Sequence, residues 1–500
     1  MQTHPAAPWP ALRFDAPGAG VQRLPVYACL ADHSRHALLQ VEDGPGARQW
    51  LGALLQRGLL TCAAVGQRGG DDGSPLQAAQ PALNLGLSRR GLQALQLAPA
   101  LLAPLKAKAP AFWQGAVSRA ARQLGDTGAN AAYHWEPGFA PDQAHLLLSL
   151  HAPDAASLAR RWSALQQLPG ASALAGWSGA LHDGAHLTTA AEKTVHFGYR
   201  DGLSNPRLQG LHGNGAHAVG ELLLGYDNDD AYNPWRLADQ PLAAGFFRNA
   251  SFGAFRKVAQ HEPAFRDYLA RTAIALGRDR AWVMAKLCGR WPDGRLLLPD
   301  GVAEPAAAAL ANKAQDFDFS HDPAGLGCPF GAHIRRMNPR NDPLAQRRQR
   351  PLMRRGMPYG PAWDGTPASA GIPRGLLGLF FCASLEDQFE HLLGEWANKT
   401  PMGPDALGRA KDPLIGQHDD PAATLHLPGA APAAGQHLGG LTPFVSTRGT
   451  AYLLYLAQPA LQALADGVSG VVGSAAAMAG VDSANAGAAI RRVDGVRRID

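Results

Sequence analysis

The stretch HLLLSLHAPDAASLARRWSALQQL, from His145 to Leu168, begins as an apolar strand and continues as an amphipathic helix. The same pattern occurs in HALLQVEDGPGARQWLGALL from His36 and in LLGLFFCASLEDQFEHLLGEW from Leu376. Asp154 and Ser384 are the predicted helix N-caps of two of these units, because their side-chain oxygens can accept the unpaired amide protons of a first helical turn. Three such units, far apart in the chain, indicate a duplicated arrangement of strand and helix.

Long polar connections separate the short strands and helices, which favours an α+β fold with antiparallel sheets over a doubly wound parallel sheet. The turn-rich segment GLHGNGAH, residues 210–217, suggests a boundary between two halves, and GELLLGY from Gly220 is predicted to form a strand. The expected organisation is an N-terminal extension (1–30), a first half (31–212), a second half (213–466) and a weakly ordered tail (467–500).

The composition is that of a globular, loop-rich chain. Its 57 glycines and 39 prolines make up less than a fifth of the 500 residues, short of the roughly 25–30% typical of low-complexity disorder. The formal net charge of +5 is a mild excess over such a length, unlike the concentrated charge of a dedicated nucleic-acid binder. Five cysteines without CxxC or zinc-ligand spacing are predicted to be reduced thiols in a cytoplasmic protein.

No targeting or membrane segment is expected. The first twenty residues contain no apolar run of the kind found in a signal peptide. The longest uncharged run of small and apolar residues lies between Asp466 and Asp482 and has 15 residues, too few to cross a bilayer. These features predict a soluble protein without a membrane partner.

Two segments hold residues suited to chemistry. HFGYRDGLSNP, from His196, places Asp201 in a turn, and Asp-Gly is an ordinary turn signal unless a partner residue lies nearby. CPFGAHIRRMNPR, from Cys328, places His333 after two small residues that leave room for a flat ligand. A haem iron needs one neutral imidazole nitrogen of this kind, and nearby arginines can neutralise haem propionates.

Arginines are concentrated between residues 335 and 355, where one carboxylate, Asp342, opposes eight of them. The arginines are Arg335, Arg336, Arg340, Arg347, Arg348, Arg350, Arg354 and Arg355. They could form a solvated basic face or a phosphate-binding patch for nucleic acid. RRGMPYG, from Arg354 to Gly360, favours a different interpretation, in which a constrained turn fixes one arginine in a pocket.

With these motifs the chain resembles the dye-decolourising (DyP-type) peroxidases. HFGYRDGLSNP matches the GxxDG motif of the family, CPFGAHIRRMNPR its proximal histidine segment and RRGMPYG its distal arginine segment, in the family's order. Further similar segments are LNLGLSRRGLQAL from Leu83, LGDTG from Leu124, GELLLGY from Gly220, FFRNASFGAFRKV from Phe246, AKLCGRW from Ala285 and DPLIGQ from Asp412. The resemblance covers about residues 30 to 460, and the chain length suggests the longer bacterial branch.

The resemblance implies two ferredoxin-like halves with facing antiparallel β-sheets, similar to a dimeric α-β barrel, and haem b (iron protoporphyrin IX) held non-covalently in the C-terminal half. It implies that His333 is the axial iron ligand, Asp201 the distal acid/base and Arg354 the distal cation. Arg355 is the adjacent alternative to Arg354. Gly202 and Arg340 are expected to contact the cofactor as well, together with His333 and Arg354.

The implied function is haem-dependent reduction of hydrogen peroxide, coupled to one-electron oxidation of dyes, phenols or other organic reductants through a ferryl intermediate. An unperturbed aspartate has a pKa near about 3.9, so a carboxylate acid/base predicts an acidic optimum. The partners are then peroxide and an organic reductant, without nucleic acid, and a homo-oligomer is compatible with the sequence.

The sequence is also compatible with other functions. The chain could be a haem-binding or haem-trafficking protein with little turnover, an enzyme with catalase-like or haem-degrading activity, or an arginine-rich nucleic-acid binder. A proximal histidine usually donates its second ring proton to an acceptor, for which Asp387 and Glu390 are candidates. A solvated helix face is the better interpretation of both.

Overall fold

The computed structural model describes residues 19–29, 31–63, 81–187, 193–209, 217–298, 317–340, 342, 349–399, 409–429 and 435–467. The predicted tail, apart from its first residue, lies outside this part of the chain, as do residues 1–18 of the predicted N-terminal extension. Residues 19–29 pack into the core, since Leu24 and Val26 are fully buried. The Gln22 side chain donates to the carbonyls of Leu85 and Leu456.

The strands of the described residues are β1 (His33–Val41), β2 (Ala82–Leu87), β3 (Leu146–Ala152), β4 (Leu174–Ala175), β5 (Leu181–Ala185), β6 (Ser251–Gln260), β7 (Met353–Tyr359), β8 (Gly375–Cys382), β9 (Leu425–Leu427), β10 (Gln436–Leu438) and β11 (Val445–Tyr455).

The α-helices are α1 (Arg23–Val26), α2 (Gly44–Gln56), α3 (Arg89–Ala94), α4 (Pro99–Lys108), α5 (Pro110–Gln114), α6 (Ala116–Arg119), α7 (Ala155–Gln166), α8 (Pro241–Phe247), α9 (Glu262–Leu276), α10 (Arg280–Cys288), α11 (His333–Met337), α12 (Pro367–Ala370) and α13 (Gln458–Asp466). Three segments have π-helical winding, Ala120–Leu124, Leu385–Glu390 and Leu392–Ala397.

Two copies of one topology form the architecture. The first copy runs β1-α2-β2-β3-α7-β4, with the spatial strand order β4-β1-β3-β2, and β5 extends it by pairing with β1. The second copy runs β6-α9-β7-β8-β11, with the two later π-helical segments before β11, in the order β11-β6-β8-β7. All paired strands are antiparallel. The predicted α+β fold with two ferredoxin-like halves is confirmed.

The two halves join into one closed arrangement. At one junction β2 pairs with β11 through Leu87 and Leu454. At the other, β5 lies against β7, where a Cβ atom on Gly184 would meet the Pro358 carbonyl at 3.0 Å. The halves therefore enclose an interior lined by one face of each strand, while helices such as α2 and α7 cover the outer faces.

The caps predicted from the sequence are present. Asp154 accepts the amide proton of Ser157 at 2.7 Å, and Ser384 accepts that of Asp387 at 3.1 Å. The first of these caps begins the α-helix α7, whereas the second begins a π-helical segment. Each unit predicted to run from strand to helix does so.

Two local predictions are wrong. GELLLGY forms no strand, because residues 219–221 make a short 3₁₀ turn and Leu222–Leu224 are buried in irregular structure. RRGMPYG is not a turn but most of strand β7, and its turn begins only at Gly360, where φ is +78°. In both cases tertiary packing overrides the local residue preferences.

The boundary predicted at residues 212/213 falls in 210–216, outside the described residues, and stays a prediction. The segment 193–209, which carries Asp201, packs against the second half. Its Phe197 ring lies 4.4 Å from the ring of Phe265 on α9, and its Tyr199 hydroxyl donates to the carbonyl of Met284 on α10. Position in the sequence therefore does not tell to which half this segment is attached.

Candidate active site

Asp201 stands in a tight turn whose backbone is tied at both ends. Thr194 and Arg200 form an isolated antiparallel bridge, and the Asp201 amide donates to the Lys193 carbonyl at 2.7 Å. The Asp201 carboxylate accepts the Gly202 amide proton at 2.7 Å, and Gly202 has a φ of +71° that an L side chain rarely adopts. The turn therefore presents a partly exposed carboxylate at a fixed position.

Arg354 is joined directly to the Asp201 segment. Its amide donates to Asn205 Oδ1 at 2.9 Å, and its guanidinium donates to the carbonyl of Ser204. The side chains of β7 alternate, so Arg354 and Gly356 face the open side of the sheet while Met353 and Met357 face the interior. The strand thus delivers one cation to the neighbourhood of the Asp201 turn.

Arg340 approaches the same turn from the other side. Its Nη2 donates to Ser204 Oγ at 2.9 Å, its Nη1 donates to the Phe317 carbonyl at 3.2 Å, and its guanidinium lies 4.3 Å from the centroid of the Phe317 ring. Ser204 therefore contacts both Arg340 and Arg354. The structure thus brings Arg340 and Arg354 to the turn that holds Asp201 and Gly202, although this turn lies far from both arginines in the sequence.

His333 begins helix α11 and is held by a buried carboxylate. Its Nδ1 lies 2.9 Å from Oδ2 of Asp412, whose side chain has no exposed surface, while the His333 side chain is 24% exposed. Oδ1 of Asp412 accepts the amide protons of Leu414 and Ile415 at 2.9 and 3.0 Å. Since an ionised carboxylate only accepts, Nδ1 carries the proton, and in the neutral imidazole the lone pair is on Nε2.

Asp412 stays ionised in spite of its burial. Burial pushes the pKa of Asp412 upward, but the attraction and hydrogen bond of His333, together with the charge of Arg336 and the amide of Leu414, outweigh it and leave the pKa below its ordinary value. An anionic acceptor fixes the tautomer and the ring orientation of its histidine. Nε2 of His333 is accordingly prepared to bind a metal ion.

Sequence reasoning did not find Asp412 as this partner. The residue begins DPLIGQ, a segment of family resemblance, but the sequence does not show which carboxylate folding brings to His333. The two candidates named from the sequence lie elsewhere. Glu390 forms an ion pair with Arg119 and accepts the Tyr452 hydroxyl, while Asp387 is bound by Ser384 at a helix start.

Most of the arginine cluster is structural. Arg335 is 1% exposed and pairs with Asp322 and Asp342, and Arg336 donates to carbonyls that include that of Ala410. Arg355 is buried and donates to the carbonyls of Leu24 and Val26. Arg347 and Arg348 lie outside the described residues. Buried guanidinium groups cannot line a surface for nucleic acid, so that interpretation loses its support.

The residues at the site fit a haem group. The donor set is one imidazole with a free nitrogen, and the described residues contain no cluster of three or more potential metal-ligating side chains that would suit a bare ion. A Cβ atom on Gly202 would meet nothing within 4 Å, and one on Gly356 only the Leu377 carbonyl at 3.6 Å. Other side chains therefore do not crowd the backbone at Gly202 and Gly356, near Asp201 and Arg354.

A separate groove of about 470 Å³ is lined by Lys108 and residues 231–240 and includes none of the site residues.

Among the described residues, no helix combines the length and apolar character needed to cross a bilayer.

Comparison with known proteins identifies relatives. No protein-family model matches the chain. It is 28% identical over 427 residues to the dye-decolorizing peroxidase msp1 of Mycetinis scorodonius, covering 77% of each chain. It is 29% identical over 393 residues to a dye-decolorizing peroxidase of Exidia glandulosa, covering 74% of this chain and 73% of the relative. Both relatives are fungal, so the bacterial branch suggested by length stays a prediction.

A solved structure shares the fold. A dye-decolorizing peroxidase in complex with 2,6-dimethoxyphenol superposes with a TM-score of 0.73 at 25% identity, covering 90% of this chain and 99% of that one. The match extends over both ferredoxin-like halves. In sequence over 77% and 74% of its length, and in fold over both halves, the chain is therefore similar to dye-decolourising (DyP-type) peroxidases.

Proposed function

We propose that the chain uses haem to reduce hydrogen peroxide and oxidises dyes, phenols or other organic reductants one electron at a time. The observation that carries the proposal is the pairing of His333 with the buried Asp412, together with the attachment of Arg354 to the Asp201 turn. Similarity to dye-decolorizing peroxidases supports peroxidase chemistry, and the complex of a similar protein with 2,6-dimethoxyphenol supports a phenolic reductant.

His333 is the proposed axial ligand. Bound haem would supply an iron that takes up the peroxide and the electrons of the reductant. The hydrogen bond to Asp412 holds the imidazole plane, places the lone pair of the neutral imidazole on Nε2 and increases its electron donation. The chain thereby tunes the cofactor through a carboxylate that solvent does not reach.

Asp201 is the proposed proton carrier. Peroxide must lose a proton from one oxygen and gain it on the other before the bond between them breaks. A positioned carboxylate performs such transfers with an effect of about 10²–10⁴ in rate. The tied turn around Asp201 limits the movement of the carboxylate, which suits it to this transfer.

Arg354 is the proposed distal cation. Negative charge grows on the departing oxygen, and a guanidinium stabilises it without losing its own proton. Arg340 would neutralise a haem propionate, and Gly202 leaves space for the ring. Arg355 does not suit the distal role, because it is engaged with backbone carbonyls on the interior side.

The proposed cofactor is haem b without covalent attachment, because the proposed ligand to the cofactor is the imidazole of His333. The five cysteines are free thiols, and Cys328 and Cys382 are buried, which supports the cytoplasm as the compartment. Peroxide and an organic reductant are the proposed partners, and a homo-oligomer stays a prediction.

The test compares haem-loaded wild-type protein with Asp201→Asn. The variant is expected to keep its haem absorbance and to lose about 10²–10⁴ of peroxide-dependent dye turnover. Asp293→Asn is the matched control, because Asp293 is an exposed aspartate in another turn and accepts the Arg295 amide. Wild-type turnover in Asp201→Asn would contradict the assignment of the acid/base.

The haem-binding or haem-trafficking alternative is separated by a stopped-flow measurement on the wild-type protein. A peroxidase changes its haem absorbance within milliseconds to seconds of mixing with one equivalent of peroxide, whereas a carrier without a prepared distal side does not. An unchanged spectrum in haem-loaded protein would favour the carrier.

A further inference from the structure

A line of buried polar residues crosses the interior enclosed by the two halves. Ser34 and His36 of β1 face inward, and their register partners in β3 are His151 and Ser149. His36 is also the register partner of His182 in β5. Ser34, His36, His151 and His182 are all at most 6% exposed. A cluster of buried polar side chains of this kind is unusual in a protein interior.

The members of the line lie close to one another. His36 Nδ1 lies 3.0 Å from Ser149 Oγ, and the His36 and His151 ring centroids are 5.5 Å apart. At one end Lys257 Nζ lies 3.4 Å from His182 Nδ1 and 2.8 Å from Glu136. The Glu136 side chain is 35% exposed, so this end of the line reaches solvent.

The other end points toward the proposed active site. His186 follows directly after β5, and burial and the charge of Lys193 lower its pKa, while the charges of Asp32 and Asp201 act against that shift. The charge of His186 in turn contributes to the lowered pKa of His151. The same segment is attached to β1 through the His186 amide, which donates to the carbonyl of Asp32. The line therefore runs from Glu136 through His182, His36, His151 and His186 to the neighbourhood of Asp201.

Several atoms along this line are buried without a hydrogen-bond partner among the described residues. They are Ser34 Oγ, His151 Nδ1, His182 Nε2, His186 Nε2 and Asp32 Oδ1. Buried polar atoms of native proteins are almost always paired, and buried waters making about three hydrogen bonds each usually satisfy those that lack protein partners. Five such atoms in one region indicate a set of ordered waters between the side chains.

Neutral imidazoles suit such a line. Burial, with the neighbouring charges of His151 and His182, lowers the pKa of His36 far below its ordinary value. A neutral imidazole accepts a proton on one nitrogen and releases the proton held on the other, so it passes a proton without keeping a charge. Because Lys257 can only donate to His182 Nδ1, the proton of His182 is on Nε2, toward the interior.

We propose that the barrel interior is a proton path, in which His182, His36, His151 and His186 with intervening waters connect solvent at Glu136 to Asp201. The proposal rests on the peroxidase function proposed above. Reduction of one hydrogen peroxide to two waters takes up two electrons from the organic reductant and two protons. The path delivers these protons to Asp201 through the barrel interior, and its histidines are relay groups rather than catalytic residues.

A structural measurement tests the path without turnover. A high-resolution crystal or neutron structure of the haem-loaded protein is expected to show ordered water within hydrogen-bond distance of Ser34 Oγ, His151 Nδ1 and His182 Nε2. An interior filled by side chains alone, with these atoms dry, would overturn the proposal. The same experiment reads the tautomer of His182, expected to carry its proton on Nε2.

A kinetic measurement tests its use. His151→Leu removes one relay group at nearly constant volume and is expected to lower peroxide-dependent turnover at least about tenfold and to raise the solvent isotope effect, with unchanged haem absorbance. His217→Gln is the matched control, because His217 is a buried histidine bound to Asp229 outside the barrel. Equal rates and isotope effects in wild type and His151→Leu would refute the path.

Ser34→Ala provides a second variant that removes a single oxygen. If water occupies the line, the variant is expected to melt at a lower temperature and to turn over more slowly than wild type. If the line is dry, removing an unpaired buried hydroxyl raises the melting temperature, which would overturn the proposal. Haem-loaded wild-type protein without any turnover would instead refute the peroxidase function, so the two failures are distinguishable.

Discussion

Arg354 and Arg355 are consecutive residues of β7, but their guanidinium groups lie on opposite faces of the sheet. Arg354 contacts the Asp201 turn on the open face, and Arg355 contacts the carbonyls of Leu24 and Val26 on the interior face. The period of two in a strand therefore separates a catalytic candidate from a structural residue of the same type.

Leucine substitutions at these two positions are expected to affect different properties, turnover at Arg354 and stability at Arg355. Arg354→Leu should lower turnover by about 10²–10³ with little change in stability, since it removes one charge that stabilises the reacting oxygen. Arg355→Leu should lower the free energy of unfolding by about 1–3 kcal/mol for each carbonyl it leaves unpaired. Steady-state rates and urea unfolding of both variants measure this, and a stability loss confined to Arg354→Leu would contradict it.

Asp412→Asn is expected to weaken haem binding or activity by about 10- to 100-fold, because the neutral amide supports the imidazole of His333 less well. Haem titration and the reduction potential of the bound iron are the measurements, and the potential should rise. Asp420→Asn is the matched control, since Asp420 lies in the same loop and accepts the amide of Ala422. Equal potentials in Asp412→Asn and wild type would show that Asp412 does not tune the site.

Gly356→Val is expected to keep the fold and to lower haem affinity about 10- to 100-fold, the equivalent of an overpacking cost of about 1–3 kcal/mol. The reason is that its side chain would enter the open space beside Arg354, where the nearest heavy atom is the Leu377 carbonyl. Circular dichroism and haem titration are the measurements. Gly371→Val, on an exposed turn, is the control, and equal haem affinity in both variants would place the ring elsewhere.

Stability is expected to fall as the pH drops below about 6.5, the ordinary pKa of histidine. Burial lowers the pKa of His151 to about 4, and burial with the charge of Lys257 lowers that of His182 to about 3. Between these values and about 6.5, the two histidines are protonated in the unfolded chain but neutral in the folded chain. Each histidine should lower the free energy of unfolding by about 1.4 kcal/mol per pH unit until its folded-state pKa is reached.

Urea unfolding at pH 7, 6 and 5 measures this slope. The slope in His151→Leu should be shallower than in wild type, because the variant lacks one histidine that takes up a proton on unfolding. Parallel slopes would show that His151 is protonated in the folded protein.

The sequence predicted those parts of the fold that depend on local pattern. The strand-to-helix units and the caps at Asp154 and Ser384 are confirmed, because apolar period and capping act within a few residues. The contact between β2 and β11 joins Leu87 to Leu454, a pairing that no local pattern encodes. RRGMPYG was predicted as a turn, since Gly and Pro dominate it, and its pairing with β8 makes it a strand.

Only part of the candidate site was predicted from the sequence. Motif resemblance predicted His333, Asp201 and Arg354 as site residues, and the structure shows that Arg354 and Arg340 meet at Ser204. The partner of His333 could not be ranked, because several carboxylates compete in the sequence and only folding brings Asp412 to the ring. The histidines of the interior were also missed, since they occur singly on strands where an inward histidine has the same pattern as an inward serine.

The closure of the two halves has a consequence for any fragment of this chain. In the intact protein β2 is joined to β11 at Leu87 and Leu454 and β5 lies against β7, so each half covers part of an edge strand of the other. A half expressed on its own would present two unprotected strand borders, which readily recruit strands of other molecules. Each half thus protects the edge strands of the other from aggregation. Expression of the two halves separately should give insoluble material unless both are made together.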